Sequence, residues 1–382
     1  MVPQEPLFRP GGLRFRGSPV AGWQGTQGKR FYCFWARNAI FHGLRALGIQ
    51  PGDKILVPAY ICTAAVEPLE YFGAAVEFYA IRRNCAPDWK DLETRITPGV
   101  KAILAVHYFG FPCDIWRYRA LCEQYGLFLI EDGAHVLEGL PNPCGFGEAG
   151  DFSVFSPRKF VPIFDGGVLR LNRPAANFQI RFQSEEPLFT VRVAKNLWDR
   201  RHPPIDSLVP APHHGHNHAE APQAATPAAS RPQKPLYVFP NGTAFLPWMA
   251  DFPMSRLSKH LFRHFPLQEI ATKRRENYTR LIEKLRRYKD VRPLHEELGE
   301  GVTPWVLPVT IGERADAHTR LRALGIPAVT WGGVRDARIR EGDFQETHDL
   351  YERLVFLPIH QSLENEDLEK IASAVAAVCG TR

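Results

Sequence analysis

Between residues 37 and 132, short apolar runs alternate with stretches of helical periodicity. Residues 37–47 place Ile40, Leu44 and Leu47 at helical spacing and stop at Gly48, a residue suited to a left-handed C-cap. Pro51-Gly52-Asp53 predicts a turn into an apolar strand over 54–59. A helix over 63–72, a strand over 74–80, a helix over 88–96 and a strand over 101–109 follow. The next helix, 114–126, collects Ile115, Tyr118, Leu121, Cys122 and Tyr125 on one face. A strand over 127–132 then runs into Glu131 and Asp132. Continuously apolar strands separated by helices predict a mainly parallel sheet covered on both faces, an α/β fold.

Past residue 132 the texture changes. Residues 150–156 and 166–172 read as two more strands, joined by SPRKFVPIFDGG. Residues 203–235 hold eight prolines, seven alanines, four histidines and no aromatic residue, a composition too poor in apolar surface to fold. This segment is expected to be a disordered insertion. A basic helix over 268–289, a strand over 305–311, a helix over 314–324 and a terminal helix after 365 suggest a smaller C-terminal α/β domain. The predicted organisation is an N-terminal arm (1–30), a large domain (31–202 and 236–267), the insertion (203–235) and a small domain (268–382).

Composition narrows the class. The 382 residues are 45% hydrophobic and 23% charged, ordinary for a soluble globular protein. No run approaches the roughly 18 consecutive apolar residues of a membrane helix. The first residues carry Pro and Glu where a signal peptide needs its apolar core. Seven scattered cysteines without a C-x-x-C pair argue against a disulfide framework and a thiolate zinc site, so a cytoplasmic location is expected. The formal charge of +6 suits anionic ligands without selecting one. Proline is over-represented, 33 of 382 residues against an average near ~5%.

Several strings invite a chemical reading. Residues 145–150, GFGEAG, match G-x-G-x-x-G but follow a Pro-Asn-Pro turn and lead into a strand, so the match is read as chance. Ser156-Pro-Arg-Lys159 matches S-x-x-K without the S-D-N and K-T-G partners of a serine nucleophile. The HHGHNH tract lacks an acidic or thiol partner and reads as a solvated loop, so no metal is expected. The charges of the basic helix are interleaved with Glu276 and Glu283, which indicates a solvated face. Another set agrees internally. Asp132 closes an apolar strand, where parallel α/β sheets place ligands. Lys159 follows the next strand, and Asn38-Ala39 opens a helix whose N–H groups suit a phosphate. A lysine for a Schiff base, an aspartate for a pyridinium nitrogen and a phosphate-binding helix start are the parts of a pyridoxal phosphate site. A core aspartate or a surface lysine explains either residue alone; their joint order sets the site level with that bland reading and leaves both open.

The blocks ARNAIFHGLRALGIQPGD, ILVPAYICTAAVEPLEYFGAAVEF, HYFGFPCDI, IEDGAH and FGEAGDFSVFSPRKFVPIFDGG occur in an order that resembles the DegT/DnrJ/EryC1/StrS family of pyridoxal phosphate-dependent aminotransferases. RRENYTRL, ALGIPAVTW and LVFLPIHQSLENEDLEKI extend the resemblance over roughly residues 30–380. It implies a fold-type-I architecture and transfer of an amino group, with glutamate as donor, to a nucleotide-linked keto-sugar. Small-molecule substrates and a homodimer are implied, with no nucleic-acid or membrane partner. Lys159 would carry the cofactor and Asp132 would pair with its ring nitrogen. His135 would approach its phenolic oxygen, and Asn38, Ala39, Ser153 and Ser156 would meet its phosphate. The ring-stacking aromatic falls on Cys62, leaving Tyr60 as the nearest replacement. The family's Asn-Tyr-Arg element aligns with Asp251-Phe252-Pro253, and one extra residue precedes Lys159. A sugar dehydratase on the same fold and a non-catalytic cofactor-binding homologue are the alternatives; retention of Lys159 speaks against the dehydratases that replace it.

Overall fold

The computed structural model describes residues 2–7, 28–173, 178–185, 189–197 except 192 and 196, 245–340 and 342–380. The expected insertion at 203–235, its HHGHNH tract and most of the N-terminal arm lie outside the described residues.

Strands β1 (Lys29–Cys33), β2 (Lys54–Pro58), β3 (Ala75–Tyr79), β4 (Val100–Val106), β5 (Phe128–Gly133), β6 (Phe152–Phe155) and β7 (Gly167–Leu171) form one sheet in the order β1-β7-β6-β5-β4-β2-β3. Its centre, from β3 through β2, β4 and β5 to β6, is parallel; β7 runs antiparallel to both β6 and β1. The central strands are buried along nearly their whole length, which is why they read as apolar runs rather than alternations. Helices α1 (Ala36–Leu47), α2 (Thr63–Phe72), α3 (Trp89–Thr94) and α4 (Ile115–Tyr125) connect them. Gly48 ends α1 in the left-handed region at φ 70°, where its N–H closes on Arg45 and Leu44 carbonyls. Gly167 is required by close approach: a Cβ there would lie 2.1 Å from the Trp35 carbonyl carbon.

Two local expectations need correction. The strand predicted over 101–109 ends at Val106, and Tyr108–Gly110 turns as a 3-10 helix with Phe109 at φ 59°. Tyr125, expected on the inner face of α4, is 46% exposed; Arg119 is buried instead, its charge met by Asp151 at 2.9 Å.

The chain continues through α5 (Arg256–His264) and α6 (Leu267–Leu285) into a three-stranded antiparallel sheet. That sheet comprises β8 (Val291–Pro293), β9 (Leu307–Ile311) and β10 (Val355–Leu357), flanked by α7 (Ala317–Ala323), α8 (Gln345–Arg353) and α9 (Asn365–Gly380). The basic helix α6 is not simply a solvated face. It turns Arg274 and Asn277 inward, where carbonyl oxygens take their donors.

The glycine loop 145–150 has a structural task. Glu131 is fully buried and accepts from His107 Nε2 at 2.8 Å, from the Gly150 amide at 2.9 Å and from the Gly147 amide. Burial alone would raise this carboxyl, but the hydrogen bond and charge of His107, together with the two amides, hold it below the usual range. The loop folds around a side chain of its own protein.

Candidate active site

Because β2, β4, β5 and β6 are parallel, their carboxyl ends open on one edge of the sheet, where α/β folds bind ligands. That edge gathers Cys62 beyond β2, Asp132 on β5, His135 just after it, and Ser156 and Lys159 after β6.

Asp132 pairs in register with Val154, while its neighbour Glu131 pairs with Ser153. Adjacent residues on a strand face opposite sides, so Asp132 and Glu131 look into different spaces. Asp132 Oδ1 accepts from the Ala134 amide at 2.8 Å, and Oδ2 has no donor among the described residues. Burial raises the carboxyl above its usual range, opposed by the Ala134 amide and by the charges of Lys159 and His107.

Lys159 ends a short 3-10 turn whose first bond runs from its own amide to Ser156 O at 3.0 Å. Burial pulls its amine down to about 8; Asp132 and Cys62 oppose this, while Arg158 and Arg37 add to it. The ε-nitrogen lies 4.8 Å from the centroid of the Trp305 ring.

His135 is held in one tautomer. Its Nδ1 accepts from the Phe109 amide at 3.2 Å, so the proton sits on Nε2. Burial, with the Lys159 charge, keeps the imidazole neutral, well below the ordinary histidine range. Its ring stacks on Trp305 at 4.3 Å and on Phe109 at 5.8 Å, with interplanar angles of 17° and 7°.

The remaining predicted residues divide. Cys62 sits at the N-cap of α2, its thiol pushed up by burial and pulled down by the Ala64 amide, Lys159 and Arg37. Ser156 is buried at the turn that carries Lys159. Ser153 is not brought to this cluster: its single hydroxyl proton is shared between Gly147 O at 3.1 Å and Glu131 Oε2 at 3.3 Å, on the far face of the sheet. Tyr60 is also turned away. It is fully buried against Tyr108, Trp331 and Tyr351, and its hydroxyl has no partner among the described residues. Asn38 and Ala39 do not head the helix, because Trp35 is the N-cap and both amides donate to its carbonyl, at 3.1 and 3.2 Å. The Asn38 side chain donates to Met249 O at 2.6 Å. Asp251 lies 3.5 Å from His42 Nε2 and 3.8 Å from Arg45 Nη1.

Two residues at this site lay outside the sequence reading of function. Trp305 comes from the loop before β9, and Arg274 from the interior of α6. Neither belongs to a local chemical motif; only the inward position of Arg274 on an amphipathic helix could have singled it out.

Residues 36–192 match the profile of the DegT/DnrJ/EryC1/StrS aminotransferase family. A UDP-N-acetyl-3-dehydro-alpha-D-glucosamine 3-aminotransferase of Acidithiobacillus ferrooxidans is 36% identical over 141 residues, which cover 36% of this chain and 38% of that protein. A GDP-perosamine synthase of Vibrio cholerae is 34% identical over 137 residues, 35% of this chain and 37% of its own length. The chain thus spans less than half the length of these curated relatives. Among solved structures, Helicobacter pylori PseC, an aminotransferase of pseudoaminic acid biosynthesis, superposes with a TM-score of 0.66 at 16% identity, covering 100% of this chain and 99% of its own. A DegT DnrJ EryC1 StrS aminotransferase of Brucella abortus gives 0.62 at 21% identity, covering 92% and 86%. Residues 36–192 are thus similar to the DegT/DnrJ/EryC1/StrS aminotransferase family, and the chain as a whole shares the fold of these solved structures.

Proposed function

We propose that this protein is a pyridoxal phosphate-dependent aminotransferase that moves an amino group from glutamate to a nucleotide-linked keto-sugar. One observation carries the reading: a lysine amine lowered to about 8 shares a sheet edge with a buried carboxylate and a neutral, tautomer-locked imidazole.

The donor set fits the cofactor. When bound, pyridoxal phosphate supplies an aldehyde that captures amines and a ring that takes up an electron pair from the captured substrate. Lys159 supplies the capturing nitrogen. With its amine near 8, a sizeable fraction is neutral and nucleophilic in mildly alkaline water, and Nζ can accept and return a proton. Asp132, with Oδ1 anchored by Ala134, leaves Oδ2 to pair with a protonated ring nitrogen. His135 presents a fixed Nε2–H to a ring oxygen. Ser156 and the positive charges of Arg37 and Arg158, which reach the lysine, would hold the phosphate. Asn38 and Ala39 would then shape the helix start behind it.

The relatives named above support the substrate class, since their names specify nucleotide-linked sugars. The proposal extends to a cytoplasmic homodimer with a two-domain subunit of the boundaries given above. Tyr71 and Trp248, 52% and 38% exposed, each touch further aromatics and supply surface for a second copy. No helix among the described residues is long and apolar enough to cross a membrane.

The test is to load the purified protein with pyridoxal phosphate and add glutamate. Bleaching of the yellow absorbance with release of 2-oxoglutarate supports transamination. Colour without release, over a panel of amino donors, leaves dehydration or mere binding and sinks the proposal.

A further inference from the structure

Trp305 enters the site from a part of the chain far from Lys159, and its backbone is fixed on both sides. Its N–H donates to Phe109 O at 2.8 Å, and its carbonyl accepts from Arg274 Nη1 at 2.9 Å. Arg274 is 1% exposed and also donates to Lys159 O at 3.2 Å and to Gln361 Oε1 at 3.0 Å. Gln361 in turn donates to Phe160 O at 2.8 Å. One guanidinium therefore ties the lysine turn to the tryptophan loop.

The Phe109 corner completes the frame. Its left-handed conformation lets one residue donate to His135 Nδ1 and accept from Trp305. Gly110 fits beside it because a Cβ there would lie 2.5 Å from Thr303 O. The indole of Trp305 then meets the Lys159 amine at 4.8 Å and the His135 ring at 4.3 Å. An ammonium at that distance from an indole centroid is held by the ring quadrupole, most strongly where water is excluded.

We propose that Trp305 is the positioning residue for the reacting amine: its indole holds the Lys159 ε-ammonium and, with Phe109, clamps the His135 ring beside it. This rests on Lys159 being the reacting amine. The groups facing that amine are Asp132 and Cys62, which favour its charged form, and Arg158 and Arg37, which oppose it; His135 is neutral. Removing the indole therefore takes away one of few supports for the ammonium.

The test reads the amine directly, without turnover. The cofactor-free full chain is acylated with acetic anhydride across pH 6–11, and Lys159 modification is followed by peptide mass spectrometry. In W305L the midpoint of labelling falls by about one pH unit, so labelling at neutral pH rises several-fold. W305F keeps an aromatic face and recovers most of the shift. A W305L midpoint equal to that of the unchanged protein overturns the proposal, as does equal behaviour of W305F and W305L. Unfolding moves the midpoint the opposite way, toward the ordinary lysine value. If the labelling pattern holds but the protein captures no pyridoxal phosphate, the functional reading fails while the contact stands.

Discussion

Glu131 and Asp132 are neighbours on β5, both carboxylates and both buried, yet they serve different ends. Glu131 faces a closed space and accepts from His107, Gly147, Gly150 and Ser153. Asp132 faces the open sheet edge with one oxygen anchored and the other left over, and it shares that space with Lys159. Burial is common to both. What separates them is unspent hydrogen-bonding capacity: a saturated carboxylate organises a loop, and a half-saturated one awaits a partner.

The largest effect should come from the lysine that shares the open face. Lys159→Ala should abolish cofactor capture and transamination, as followed by absorbance and product release. The fold should remain, because the change removes a buried cation.

The next pair sets the two faces against each other. Asp132→Asn should lower the transamination rate about 10²–10³-fold, since it removes charge aimed at the reacting ring, while the melting temperature stays nearly constant. Glu131→Gln should do the reverse, lowering stability by roughly 1–3 kcal/mol in urea titrations while activity per folded molecule persists. Equal effects on rate and stability in both variants would erase the distinction.

The two serines repeat the contrast at lower amplitude. Ser156→Ala should weaken retention of pyridoxal phosphate about tenfold in equilibrium dialysis, from loss of a hydrogen bond to an anion. Ser153→Ala should leave retention unchanged, because its hydroxyl belongs to the Glu131 side.

Asp165 gives a third case, away from the active edge and read only as stability against pH. This buried carboxyl accepts from Ser255 Oγ at 2.7 Å and Ser258 Oγ at 2.5 Å, yet burial outweighs those bonds and raises it to about 6. Its folded form therefore binds a proton more tightly than its unfolded form. The associated stability is fully present below pH ~4 and lost as pH rises through about 6, roughly 3 kcal/mol in all. Urea midpoints measured from pH 4 to 7 should show this fall, and Asp165→Asn should flatten it.

The parallel centre of the sheet was legible because its strands are buried on both faces, and each lies within two or three residues of the predicted run. Asp132 and Lys159 were singled out by their places after apolar strands and His135 only by the family resemblance; the structure sets all three at one edge of the sheet. Contacts made across the chain were not. The inward turn of Arg274 and the approach of Trp305 depend on how α6 and the loop before β9 pack against the lysine turn, and no local pattern encodes that. Ser153 was misplaced by one pleat, because register against Glu131, not proximity to Lys159, decides its face. Tyr60 was drawn inward by Trp331 and Tyr351, which lie far along the chain. The expected helix start at Asn38-Ala39 falls two residues too late, because the helix begins at Ala36 and the Trp35 carbonyl takes both amides.

The central claim is that Lys159 and Asp132 together make a site for pyridoxal phosphate. It is tested most directly by titrating the purified full chain with the cofactor and recording the visible spectrum alongside Lys159→Ala and Glu131→Gln. The account predicts one equivalent of yellow chromophore in the unchanged protein and in folded Glu131→Gln, and none in Lys159→Ala. No chromophore in the unchanged protein, or an undiminished one in Lys159→Ala, would contradict it.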